Sequence, residues 1–436
     1  MAIQSVIFAI VLIAAVYLFS RNVRKISRNI SLGKKSQRND RRAERWKTMA
    51  RVAMGQSKMM ARPLAGFFHL LIYAGFVIIN IEVLEIVIDG LFGTHRFLAF
   101  LGGFYDFLIG SFEILALGVL LACVVFLARR NILRLPRFHK PEMKGWPAKD
   151  ANLILVIEIV LMTAFLTMNA ADLLLQQMGS EHYTVAGSYP VSSIWASAFS
   201  GISEGGLIAL ERGMWWLHIV GILAFLNYLV VSKHLHIILA FPNTWYSKLE
   251  PKGQMSDMPA VTEQVKLMMD PSADPYAAQP EGTVPERFGA RDVFDLSRVQ
   301  LMNAYSCTEC GRCTSECPAN QTGKKLSPRK IVMDVRDRLE EVGKNIDQNK
   351  TFQDDGKSLF DRISKEELWA CTTCNACVQA CPVNIDPLSV ILDMRRYLVM
   401  EESAAPNELN IMMTNVENNG APWQFAAADR MNWANE

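Results

Sequence analysis

No nucleotide-binding fingerprint occurs among the 436 residues, so neither NAD nor flavin is expected on this chain. Cysteine is sparse, at nine residues, and eight of them fall into two tight groups while Cys123 stands alone in an apolar run. That distribution excludes a disulfide framework and points to ligand usage in a reducing compartment. Histidine is scarcer still, at seven. The first apolar run has no basic region before it and no small-residue cleavage site after it, which makes it an uncleaved anchor and not a signal peptide. The net charge of +2 conceals basic clusters between the apolar runs. The excess of Lys and Arg on one side of a membrane accounts for them, so no nucleic-acid partner is needed.

Five runs are long and apolar enough to cross a bilayer, at residues 2–19, 63–88, 107–128, 151–175 and 214–241. Residues 21–62 carry fourteen Lys and Arg against only Asp40 and Glu44. This places the protein in the cell inner (cytoplasmic) membrane with that loop and the C-terminal half on the cytoplasmic side and the N-terminus outside. A short interfacial helix is expected around Ile194–Phe199. Glu82, Glu85, Glu113 and Glu158 fall in or near the spans, where a carboxylate serves either proton transfer or helix packing. The last run, 214–241, holds three histidines. Read as one helix, it puts His218 and His236 on a single face about 27 Å apart and turns His234 elsewhere. Such a face suits axial ligands for one or two stacked haems; the other reading is interfacial or helix-bonding histidines.

Residues 242–289 are rich in Pro, Gly, Asp, Gln and Ser and read as a linker without a core. Beyond it, CTECGRCTSECP (307–318) and CTTCNACVQACP (371–382) both follow C-x2-C-x2-C-x3-C-P. Three thiolates so close wrap one cubane, and the fourth, before proline, reaches the other cluster. The expected sets are therefore Cys307, Cys310, Cys313 and Cys381 for one 4Fe-4S cluster, and Cys371, Cys374, Cys377 and Cys317 for the second. Zinc is the alternative, but it favours two CxxC pairs without a third close cysteine. Between and after the motifs, helices are expected from Pro328, capped by Ser327, from the Ser364–Glu367 capping box, and from Pro387. The fold class is all-α: a five-span transmembrane bundle (1–241), the linker, a mainly helical dicluster domain (290–400) and a partner-docking tail (401–436).

LHIVGILAF with SKHLHI, FFHLLIYAGF and the two cysteine motifs together resemble the membrane subunits of the heterodisulfide-reductase-related group. In that group a nitrate reductase gamma-like cytochrome b region precedes a helical dicluster ferredoxin. The resemblance implies that His69 and His236 are one haem b pair. His218 matches a further ligand, whose usual partner position holds Ile79, leaving His95 of the GTHRF loop as the substitute. The tail PWQFAAADRMNW is similar to the segment that leads toward CCG repeats in longer relatives. A separate subunit carrying those repeats, or a flavoprotein, is the implied partner.

The function expected is that of a respiratory-chain electron-transfer subunit. It links the membrane quinone pool to a soluble redox partner through b-type haem and two 4Fe-4S clusters. The rival expectation is a haem-free membrane anchor for a soluble iron–sulfur relay.

Overall fold

The computed structural model describes residues 2–36, 38–251, 253–272 and 287–435. Five helices are long and apolar enough to cross a membrane. They are α1 (Ala2–Ser31), α2 (Pro63–Phe92), α3 (Gly103–Asn131), α4 (Trp146–Met178) and α5 (Glu204–Leu229). Their mutual core is built from large apolar side chains such as Phe8, Ile79, Phe112, Phe165 and Ile219. α4 is the most enclosed of the five and α1 the most exposed, with Ile3, Ile10 and Ile13 on its open face. An apolar face turned outward in this way needs lipid to cover it. Among the described residues there is no strand, only an isolated bridge between Lys34 and Ser297. The all-α expectation holds.

Two boundaries differ from expectation. α1 does not stop at residue 19 but continues through a polar stretch to Ser31. The extra turns are held by the C-terminal domain: Asn29 donates to the Tyr305 hydroxyl (2.9 Å), Arg28 to the Gly343 carbonyl (3.0 Å), and Lys25 pairs with Asp347 (2.6 Å). The run 214–241 is not one helix either. α5 begins ten residues earlier than expected and ends at Leu229, and a new helix, α6, spans His236–Trp245. Two contacts hold the break. The Ser232 hydroxyl accepts from the His234 amide (3.1 Å), and Asp150 accepts from the Lys233 amide (3.1 Å). The five-turn register that aligned His218 with His236 is therefore lost.

The first residues assigned to the linker are also structured, since Asn243, Thr244 and Ser247 are buried. There the buried Arg45 donates to the Ser247 carbonyl (3.0 Å) and pairs with Asp40 (2.6 Å). The linker further contains a helix, Pro259–Met269, with exposed Val265, Leu267 and Met268. Residues 273–286 lie outside the described residues. At the expected interfacial position, Ser192–Ala196 is helical and Ser197–Phe199 forms a 3-10 turn.

The C-terminal domain is built around α7 (Arg298–Ser306), α8 (Pro328–Asn349) and α9 (Pro387–Met400). Each expected start is present: Ser327 caps α8, the Ser364–Glu367 capping box opens a short helix at Lys365, and Asp386 caps α9. Ile331, Val335 and Leu339 recur every four residues, so they share the buried face of α8. The resulting core is continuous with the bundle, because Ile26 and Ile30 of α1 and Leu229 and Leu235 beside the helix break pack into it. Gly289 passes so close to α9 that a Cβ would lie 2.2 Å from the Asp393 carbonyl oxygen, at a φ of +72°. Gly289→Ala is expected to destabilise this domain by roughly 2–5 kcal/mol, combining left-handed strain and overpacking. A lowered melting midpoint checks this; an unchanged midpoint counts against it.

Candidate redox centres

The two cysteine loops repeat one backbone course. Glu309 and Thr373 occupy the left-handed region with φ of 55° each, and Gly311 and Asn375 do so at 71° and 60°. In both loops the amide two residues on points back at the first sulfur: Glu309 to Cys307 Sγ and Thr373 to Cys371 Sγ, each at 3.4 Å. The Ile385 amide does the same to Cys381 Sγ at 3.3 Å. Amides directed at sulfur stabilise thiolate charge.

The sulfurs form two groups, each crossing between the motifs. Cys313 lies within electrostatic reach of Cys310, Cys307 and Cys381, and Cys381 within reach of Cys310. Cys371 neighbours Cys317 and Cys374, and Cys377 neighbours Cys371 and Cys317. Cys317, Cys371, Cys374 and Cys377 together line one pocket, with Leu326, Leu388 and Ile391 on its apolar side. The groups adjoin, since Cys313 also feels Cys377. Among the described residues no three His, Cys, Asp or Glu side chains gather as around a single metal ion. Four thiolates spaced around a cubane, one per iron, suit this arrangement better than a zinc site with four donors about 2.3 Å from one point. Burial pushes the Cys307 thiol up to about 12 and the Cys381 thiol up to about 11. Ligation therefore has to release their protons.

The first group faces the bundle. Arg312, one residue before Cys313, donates to the Lys58 carbonyl (3.0 Å), and Lys58 Nζ donates to the Cys381 carbonyl (3.0 Å). Just beyond Lys58, at the near end of α2, the His69 ring stands 6.4 Å from that of His236, centroid to centroid. The helix break brings His234 into the same place, 5.5 Å from His236 and 5.2 Å from Phe225, so it does not point elsewhere as a continuous helix would require. His69 Nδ1 is engaged by Gln56 Oε1 (2.8 Å) and His236 Nδ1 by the Lys233 carbonyl (3.1 Å), which leaves Nε2 of each ring as the available nitrogen. Burial, assisted by His236, holds the His234 imidazole down to about 3, and burial also lowers His236. Neutral rings of this kind are the coordinating form.

The structure does not bring His95 and His218 together. His218 is buried between α4 and α5, its Nδ1 on the Leu161 carbonyl (3.0 Å) and its ring beside Phe165 (5.7 Å). His95 instead neighbours Tyr183 (4.9 Å) and His182 (5.8 Å), with Nε2 3.4 Å from Asp172. It lines an open pocket at the end of the bundle away from the cysteines, together with Arg96, Glu82, Trp215 and Trp216. The loop is anchored away from His218 by Arg96, which pairs with the buried Asp172 at 2.7 Å.

Three intramembrane glutamates have structural partners. Glu82 pairs with Arg96 (3.3 Å), Glu85 accepts from the Tyr105 hydroxyl (3.0 Å) and the Leu98 amide (2.8 Å), and Glu113 accepts from the Val191 and Ser192 amides (2.9 and 3.0 Å). Helix and loop packing is thus the role their contacts explain. Glu158 lies apart from this network, near Cys123.

Sequence reasoning missed the docking ion pairs: Arg329 with Glu142 (2.7 Å) and Lys233 with Glu309. No spacing rule marks such pairs, because their members are far apart in sequence.

Residues 306–385 match the family model for a 4Fe-4S dicluster domain. The chain is similar to the probable iron-sulfur-binding oxidoreductase FadF of Bacillus subtilis, 30% identical over 99% of this chain and 61% of that protein. It is also similar to the EtfAB:quinone oxidoreductase of Syntrophomonas wolfei, 26% identical over 92% of this chain and 55% of that protein. A probable membrane-anchored ferredoxin of Chromohalobacter salexigens is 32% identical over 34% of this chain and 24% of its own length. The chain thus spans between half and two thirds of the length of the first two relatives. No solved structure matches it. The chain is a membrane-anchored relative of the iron–sulfur oxidoreductases, and it carries their 4Fe-4S dicluster domain.

Proposed function

We propose that this chain is a membrane electron-transfer subunit linking the quinone pool to a soluble redox partner through one b-type haem and two 4Fe-4S clusters. The observation that carries this reading is the nearness of the His69 and His236 rings at the end of the bundle where Lys58 and Arg312 tie it to the first cysteine group. His69 and His236, with ring centroids 6.4 Å apart, would together hold the haem iron. Engagement of both Nδ1 atoms supports the same assignment, since ligating histidines are oriented by a bond at the other nitrogen. Cys307, Cys310, Cys313 and Cys381 hold the inner cluster; Cys317, Cys371, Cys374 and Cys377 hold the outer one. The iron centres supply one-electron transfer, and the protein fixes their order and surroundings.

In this reading the C-terminal domain faces the cytoplasm, following the basic residues 21–62. Quinone enters as the exchangeable membrane substrate, in line with the printed name of the Syntrophomonas relative. Its headgroup binds between helices near the haem. A separate heterodisulfide-reductase-like or flavoprotein subunit receives or delivers electrons at the outer cluster. The exposed Ile411, Val416, Trp423, Phe425 and Trp433 of the tail offer it an apolar seat. His95 and His218 fall outside the ligand set.

His236→Ala is expected to abolish b-type absorption while both clusters remain. Optical and iron analysis of the purified variant checks this. Unchanged absorption would make the membrane half a haem-free anchor.

A further inference from the structure

We propose that Gln56 is the positioning residue of the His69 haem ligand: its side-chain amide turns the ring toward the iron and raises the electron density that the ring offers. The inference rests on the haem assignment above and deepens it. Iron held at Nε2 leaves the imidazole proton on Nδ1, so His69 Nδ1 donates and Gln56 Oε1, 2.8 Å away, accepts. An acceptor at that nitrogen makes the ring a stronger donor to iron, which favours the oxidised haem and lowers its potential. The opposite ligand is oriented differently. His236 Nδ1 meets the Lys233 carbonyl (3.1 Å), a main-chain group that no substitution removes. Gln56 is therefore the side chain through which the sequence tunes the pair.

Gln56 is buried in the turn between a π-helical segment, Ala50–Met54, and α2. Its φ of +48° lies in the left-handed region, which a non-glycine residue keeps only where its surroundings hold it. Those contacts are present on both sides. Before it, the Gly55 amide closes onto the Ala50 carbonyl (2.7 Å), and the Ser57 amide reaches back to the Arg51 carbonyl (3.2 Å). After it, the Gln56 carbonyl accepts from the Met59 amide (2.8 Å). The dicluster domain grips the same strap. Arg312 donates to the Met59 carbonyl (3.4 Å), and Arg62 donates to Ser315 Oγ and to Glu316 (3.1 Å each). The strained turn, its burial and this grip have one result at the haem end of the bundle: they hold an amide oxygen against His69 Nδ1.

The test is a potentiometric titration of the haem in the full-length purified protein, followed by optical absorption, with haem and iron counted in every sample. Gln56→Met removes the acceptor at nearly unchanged length, and its haem midpoint is expected to move to a more positive potential. Gln56→Glu keeps an acceptor and strengthens it, so its midpoint should move the opposite way. In Gln56→Met the electron paramagnetic resonance signal of the oxidised haem should also change, because the ring is free to turn, while the cluster signals and iron content stay as in the wild type. An unmoved midpoint at full haem content, or a shift of the same sign in both variants, overturns the proposal. If Gln56→Met does not retain its haem, Gln56→Glu decides: a negative shift supports the proposal and its absence overturns it. Wild-type protein without b-type absorption would instead defeat the haem assignment itself.

Discussion

Cys381→Ser is expected to remove the cluster built mainly on the first motif, although residue 381 belongs to the second. Iron should fall from about eight per chain to about four. The surviving signal should be that of the cluster held by Cys371, Cys374, Cys377 and Cys317. The expectation follows from the sulfur groups: Cys381 lies with Cys307, Cys310 and Cys313, and the four sulfurs of the other group line one pocket. Cys317→Ser should give the reciprocal loss. If each motif held its own cluster, Cys381→Ser would disturb the second-motif signal and spare the first. Iron analysis with electron paramagnetic resonance of both variants separates these outcomes.

The second large effect is expected at the joint between bundle and dicluster domain. The Arg329 side chain is fully buried and is held by Glu142 (2.7 Å) and the Arg137 carbonyl (2.7 Å), both from the connection between α3 and α4. Glu142 also accepts from the Ser327 hydroxyl (2.7 Å), which caps α8, so one carboxylate fixes a helix start and the domain's orientation together. Glu142→Gln leaves a buried guanidinium without its counter-charge, at a cost of about 3–5 kcal/mol. The dicluster domain should then show faster hydrogen exchange and protease cleavage than the bundle, whereas equal protection in variant and wild type would count against the role. Burial alone would raise the Glu142 carboxyl, but the hydrogen bonds from Ser327 and Arg329 outweigh it and hold it below its ordinary value. Its contribution is therefore complete above the unfolded carboxylate range, about 4.3, and is lost as pH falls through the lower folded value. The wild type should show this acid-side loss of protection, and Glu142→Gln should lack that component.

Much of this architecture was legible because it rests on local rules. Hydropathy marked the five spans, and Ser327, Pro328, the Ser364–Glu367 box and Pro387 marked helix starts in the dicluster domain. The crossed cluster ligation is an expectation from motif spacing, and the neighbours of Cys381 and Cys317 support it. What was not legible depended on contacts between distant residues. Within 214–241 Gly221 lies well before the break, inside α5, and no Gly or Pro stands at residues 229–236 to announce it. The break is held by the Ser232 hydroxyl on the His234 amide and by Asp150, eighty-three residues away, on the Lys233 amide. With α5 ending at Leu229, His236 stands on a separate helix with His234 beside it. The C-terminal half of α1 misled for the same reason, since it is too polar for a bilayer yet helical against Tyr305 and Asp347. His95 was named as the partner of His218 because the resemblance leaves Ile79 at the usual ligand position, whereas the Arg96–Asp172 pair fixes its loop elsewhere.

The most direct test of the account is a reduced-minus-oxidised optical spectrum of the purified protein, with haem and iron counted per chain. The account predicts a b-type spectrum with one haem and about eight irons, the haem lost in His69→Ala and in His236→Ala but kept in His218→Ala. Eight irons without any b-type absorption would contradict it and leave a membrane-anchored ferredoxin.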